Sequence, residues 1–220
     1  VIVHRSNFQD SPLSYVEVGA SEAADLMRFP PSGATPFYEE LHIGSGEPRF
    51  LNTVSKLMTW EVFSQAGFAV ANAHAGEPPR YRGIQEGVYG PDGQEYTAAG
   101  MLVEAQVTKK RRRTLYVVHT IHEDDEVGLI LGTADAEGVT GEVRLSVQRR
   151  ENEKIWVSAR GFFHPAAGVF GAREVKAALG RVRSLLEAHH PGNSNSKTAT
   201  VSGHDDASAD AQQKTPEGDS

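Results

Sequence analysis

The chain has 220 residues, 39% of them hydrophobic and 23% charged, which suits one globular domain with a full-sized core. It contains no cysteine, so a disulfide framework, a thiolate metal site and a cysteine nucleophile are excluded together. A net charge of −7 argues against a general polyanion binder, and no apolar run approaches the roughly 20 residues that span a bilayer.

Val1 to Phe8 lacks a basic stretch followed by a long apolar one, so it does not read as a secretory signal, and a cytoplasmic protein is expected. Phe37 to Ile43 reads as a strand. Pro48 to Ala66 then carries Phe50, Leu51, Val54, Leu57, Met58 and Val62 at helical spacing. Ser45 or Glu47 suits its N-terminus, Pro48 its first turn and Gly67 a left-handed stop. Phe68 to His74 predicts a second strand, and Tyr81 to Ala99, rich in glycine and polar residues, a loop insertion.

From Met101 the period changes to two. Met101 to Thr108, Thr114 to Ile121, Val127 to Thr133, Glu142 to Gln148 and Ile155 to Phe163 read as successive strands. The links Lys109 to Arg113, Glu123 to Glu126 and Arg149 to Lys154 are short and polar, which predicts antiparallel hairpins. A last helix over Gly171 to His189 carries Val175, Leu179, Val182 and Leu186 on one stripe. After Pro191 the composition turns to Gly, Ser, Asn, Thr, Asp and Gln. Five acids (Asp205, Asp206, Asp210, Glu217, Asp219) outnumber Lys197 and Lys214 there. Such a segment buries too little to offset its ordering entropy, so 191–220 is expected to be a disordered acidic tail after a single domain, 1–190.

The expected class is α+β: a curved antiparallel sheet of about seven strands, with the C-terminal helix laid against its apolar face. Alternation puts Val103, Val117, Leu131, Leu145 and Val157 on that face, against Val175, Leu179 and Val182. A curved sheet gripping a helix often leaves a cavity, and two polar side chains share the inward phase, His119 and Thr133. They are the candidate pocket groups, because a few polar groups in an apolar pocket fix ligand orientation. A core histidine and threonine satisfied by backbone groups is the bland alternative. Glu142, Arg144, Trp156, Ser158 and Arg160 take the other phase, and a hairpin centred on Glu151 sets Glu142 opposite Arg160.

The order of several motifs resembles a domain-of-unknown-function family of bacteria and plants. They are Ser14-Tyr-Val-Glu-Val-Gly-Ala-Ser21, Ile43-Gly-Ser-Gly-Glu-Pro-Arg-Phe50 leading to Trp60, Gly132-Thr133, Thr140-Gly-Glu142, Ile155-Trp156 and Phe162-Phe-His-Pro165. The resemblance spans about Leu13 to His190. It implies alliance with the START and Bet v 1-like (SRPBCC) helix-grip superfamily, whose members enclose hydrophobic ligands between a curved sheet and a C-terminal helix. Gly132, Glu142, Trp156 and Pro165 are the family-motif positions it marks. The chain departs from the family pattern at Ala134-Asp-Ala-Glu-Gly138, where Leu-Pro-Gly-His-Pro is usual and Glu137 stands at the histidine position. Phe163-His164 likewise replaces Ser-Arg.

His119 and His122 point to opposite faces at their spacing, so no metal site is expected, and no cofactor is implied. Glu123-Asp-Asp-Glu126 lacks the spaced ligands of a calcium loop and reads as a solvated turn. His189-His190 reads as a partner for the negative pole of the last helix. Lys109-Lys-Arg-Arg-Arg113 could meet phosphates, but without an aromatic platform it reads as a charged turn, and nucleic acid is not the expected partner. No Gly-x-Ser-x-Gly element is present. The leading expectation is noncatalytic binding of a small hydrophobic molecule or lipid at His119, Thr133, Leu131, Val117, Val157, Leu179 and Val182. An enzyme acting on such a molecule, or a protein-interaction module, is the alternative.

Overall fold

Seven strands alternate apolar and polar side chains and pair, neighbour with neighbour, in one antiparallel sheet. The structure, a computed structural model, describes residues 12–75, 89–90, 93–108 and 111–190. The expected tail at 191–220, Lys109 and Lys110, and most of the 81–99 loop lie outside the described residues. The strands are β1 (Thr35–Ser45), β2 (Ala69–Ala75), β3 (Met101–Thr108), β4 (Arg111–His122), β5 (Glu126–Thr133), β6 (Thr140–Arg150) and β7 (Lys154–His164). Their order is β1-β7-β6-β5-β4-β3-β2, so the first strand returns beside the last. Helices α1 (Glu47–Met58) and α2 (Glu61–Gln65) connect β1 to β2, and α3 (Gly171–Ala188) follows β7.

The curved sheet grips α3, the helix-grip arrangement expected from the sequence. Val175, Ala178, Val182, Leu185 and Leu186 of the helix share one buried cluster with Val103, Val117, Leu129, Leu145 and Val157 of the sheet. Removing two such apolar faces from water is the main stabilising term, at roughly 25 cal/mol per Å² buried. Leu179 sits at the margin of this cluster, half-buried. Among the described residues no helix is long and apolar enough to cross a membrane.

Three local expectations change. The single helix over Pro48 to Ala66 is broken at Trp60, whose φ of 66° lies in the left-handed region between α1 and α2. That conformation costs roughly 1–2 kcal/mol for a residue with a Cβ; burial of the indole against Phe63, ring centroids 4.9 Å apart, offsets it. Gly67 does stop the second piece, with φ 87° and the Phe68 N–H donating to the Phe63 carbonyl at 2.8 Å. The β6–β7 hairpin turns on Asn152, φ 59°, rather than on Glu151. Glu142 therefore faces Phe162, and Arg144 faces Arg160.

The third change is at the basic run. β4 begins at Arg111, so Arg111, Arg112 and Arg113 belong to the strand and not to a turn. Arg112 is exposed beside Glu104, at 3.6 Å, whereas Arg113 is buried.

The outer face of the sheet is covered as well. Residues 12–34 run across it with one 3-10 turn, Ala20–Glu22, and place Tyr15 and Leu26 against Phe162 in a second buried cluster with Leu13 and Ala34. The Tyr15 and Phe162 rings meet edge to face, 5.7 Å between centroids.

Candidate functional site

Between α3 and the sheet lies a partly open cavity of ≈ 120 Å³. Its walls are mostly apolar: Leu115, Leu131, Val143 and Phe163 from the sheet, Ala178 and Val182 from α3 among them. Phe63 and Phe68, on either side of the Gly67 stop, close one side. The sharp turn after α2 is what brings both rings there. Phe163 is held in place by stacking on Phe37, 5.0 Å between centroids and 21° between planes.

Of the sequence-derived pocket residues, Leu131, Thr133 and Val182 line this cavity. Val117, Val157 and Leu179 pack in the core outside its wall. His119 does not reach it. Val117 pairs with Leu131 but His119 pairs with Ile130, so Val118 is an extra residue, a bulge that inverts the phase of β4 beyond it. The His119 side chain is exposed. The same bulge undoes the face assignment on which a His119 pocket rested.

The Thr133 hydroxyl is already engaged. It accepts from the Gly141 N–H at 3.0 Å and lies 2.8 Å from the Ser14 hydroxyl, while the Ser14 N–H donates to the Thr133 carbonyl at 2.9 Å. Those bonds join the N-terminal segment to β5 and β6, the bland role for a core threonine.

The strongest polar groups on the cavity wall are two arginines, Arg113 of β4, which the sequence placed in a charged turn, and Arg181 of α3. Arg113 donates to the Asp135 carboxylate through Nε at 3.1 Å and to the Val139 carbonyl at 2.7 Å. Asp135 is fixed in turn by the Thr114 N–H at 2.6 Å and the Glu137 N–H at 3.2 Å. The loop where the chain departs from the family pattern therefore borders the cavity through Asp135, which holds Arg113 on its wall. Glu137 itself is exposed. Arg181 makes no hydrogen bond or ion pair with the described residues, and its pKa is lowered by burial first and then by Arg113 and Arg111, against the pull of Glu174. Arg111 and Glu174 lie 3.7 Å apart alongside. The missed signal was phase: Arg111 and Arg113 alternate in register with Leu115 and Val117.

The family-motif residues gather elsewhere, on the outer face. Glu142 is fully buried and accepts from the Tyr15 hydroxyl at 2.7 Å, the Gly19 N–H at 2.9 Å and the Ser21 N–H at 2.9 Å. Burial first, and then Glu142, push the Tyr15 hydroxyl far up, so it remains a donor. A Cβ on Gly132 would collide with the Tyr15 hydroxyl and Leu13, which is the reason for glycine there. The Arg160 Nε donates to the Ser21 carbonyl at 2.9 Å, tying down the far end of the same segment. Trp156 stands half-buried between Arg150, 4.8 Å over its ring, and His42, 5.2 Å away. Pro165 is exposed and follows β7 directly. His164 contacts Glu17 at 3.3 Å. The contacts of Glu142, Arg160 and His164 pin residues 15–21 to the sheet, and Glu142 lies on the side away from the cavity.

Among the described residues no three His, Asp or Glu side chains gather as a metal site. His189 is not a charged partner for the helix dipole: it is buried, and burial, then Lys56, lowers its pKa to about 4.

A family profile described as a domain of unknown function, DUF1990, matches residues 14–183. No curated protein matches the sequence. Among solved structures, the hypothetical protein jhp0584 from Helicobacter pylori superposes with a TM-score of 0.49 at 11% identity, over 74% of this chain and 90% of that one. Ara h 8.0201 gives a TM-score of 0.43 at 12% identity, over 71% and 95%. DynU16, of the dynemicin biosynthetic locus, gives 0.42 at 10% identity, over 74% and 49%.

Proposed function

We propose that this chain, which belongs to the DUF1990 family, binds a small hydrophobic molecule noncatalytically between its sheet and C-terminal helix. The observation that carries this reading is the apolar cavity of ≈ 120 Å³ behind α3. Cores are packed to crystal-like density, and an unfilled space of this size forfeits contact energy of order 24 cal/mol per Å³. A guest restores those contacts. The volume is close to that of cavities of about 150 Å³ that take up benzene, and is well below the roughly 300–1,000 Å³ of pockets that enclose drug-sized ligands. It suits one ring or a short branched chain, with the rest of a larger lipid left outside.

The lining favours binding over catalysis. Among the described residues its titratable groups are Arg113 and Arg181, and these two guanidinium groups do not make a convergent acid and base. Glu142 and Tyr15 hydrogen-bond well but are engaged with each other and with the N-terminal segment.

Native mass spectrometry of the protein isolated from its own cells tests the proposal. One small apolar guest per chain, released and identified after denaturation, is the expected result. Chains that arrive empty and also fail to take up benzene-sized probes would overturn it.

A further inference from the structure

The cavity wall is apolar except where Arg113, Arg181 and Thr133 enter it. Arg113 and Arg181 reach it from opposite layers of the fold, one from β4 and one from α3. Arg113 spends Nε on Asp135 and part of its remaining fork on the Val139 carbonyl. Arg181 has neither a hydrogen bond nor an ion pair among the described residues, and it is half-buried. Arg111 stands beside them at Glu174. Among the described residues Asp135 pairs with Arg113 and Glu174 with Arg111, which leaves Arg181 as the guanidinium on the cavity wall that makes no hydrogen bond of its own.

A cation partly withdrawn from water, with other guanidinium groups beside it and no carboxylate hydrogen-bonded to it, is costly, because low dielectric strengthens every uncompensated interaction. The depressed pKa of Arg181 has that origin. An arginine fork matches carboxylate and phosphate geometry alike, and beside so small a cavity the planar carboxylate is the more compact of the two. The 120 Å³ volume next to it takes one ring and little more.

We infer that the ligand is a small arylalkanoic acid or a close relative, its ring against the apolar wall of the cavity and its carboxylate against Arg181, with Arg113 adding to the field. This rests on the binding reading above and specifies its chemistry. Arg113 is committed to holding the 134–139 loop, so Arg181 is the group left to make the new hydrogen bonds.

The test is a matched pair of probes, phenylpropionate and phenylpropanamide, titrated calorimetrically into the full chain. They share the ring and the spacer and differ only in charge. The acid is expected to bind at least tenfold more tightly than the amide. Arg181→Gln is expected to reduce that ratio below threefold, and Arg181→Lys to keep part of it. Arg183→Gln removes a charge two residues away that pairs with Glu39 outside the cavity, and is expected to leave the ratio as it was. Equal affinity for acid and amide overturns the acidic ligand while leaving the cavity reading standing. A preference that survives Arg181→Gln, or that falls equally with Arg183→Gln, overturns the role of Arg181. Failure of both probes to bind overturns the cavity reading itself.

Discussion

His189 ends the C-terminal helix with its imidazole inside the protein and its Nδ1 without a partner. Burial first, then the nearby Lys56, lowers its pKa from 6.5 to about 4. The folded protein therefore holds it neutral in the range where the unfolded chain takes up a proton. Its contribution is complete above pH 6.5 and is lost as the pH falls toward 4. Between pH 7 and pH 4.5 the linkage amounts to about 2 to 3 kcal/mol. Urea unfolding of the wild type and His189→Leu at both pH values measures it, because the carboxylates titrate alike in the two proteins. The stability difference between them should shift by that amount toward the variant at low pH. An unchanged difference would mean that the imidazole is solvated. The pair His189-His190 read as a cationic end to the helix; what the sequence could not express is that the first ring is buried, beside a small void it shares with Leu57 and Leu186, while the second residue is exposed.

The N-terminal segment depends on one buried carboxylate. Tyr15→Phe removes the hydroxyl from Glu142 and leaves Oε2 with the Gly19 N–H alone. An underserved buried acceptor costs roughly 1–3 kcal/mol. The variant should lose that much stability in chemical denaturation and keep its affinity for apolar probes, since the site lies across the sheet from the cavity; a loss of affinity without a loss of stability would refute the assignment. Much at this scale was legible. A period of two located the five strands after Met101, two more were expected at Phe37 to Ile43 and Phe68 to His74, and the stripe from Val175 to Leu186 located α3 almost to the residue. What failed was whatever alternation cannot carry. A one-residue bulge at Val118 leaves the pattern of apolar residues intact yet turns His119 outward. The turn on Asn152 shifts register by two, which keeps every face and changes every partner. Residues 12–34 have little regular structure, so no period announced that they would cover Glu142, although Ser14, Tyr15, Gly19 and Ser21 were singled out by resemblance. Arg113 was legible in principle, since its phase matches Leu115, but a run of five bases looks like a turn.

Taken whole, the molecule is a sheet covered on both sides for different reasons. The outer cover is held by hydrogen bonds to Glu142 and Thr133 and packs on Phe162, which is fully buried. The inner cover, α3, is held by apolar contact and leaves a cavity with two arginines on its wall. On the proposed reading, the motif residues hold the outer cover in place and the ligand enters the space behind the helix. Ala178 decides between a cavity and a solid core, because it lines the space from α3 and is buried. Ala178→Leu adds three carbons there. In a filled core such overpacking costs about 1–3 kcal/mol; in an empty cavity it gains apolar contact instead. The most direct measurement is therefore urea unfolding of Ala178→Leu beside titration with phenylpropanamide. The account predicts stability equal to or above the wild type, together with at least a tenfold loss of affinity. A destabilised variant, or one that binds the probe as well as the wild type does, would contradict it.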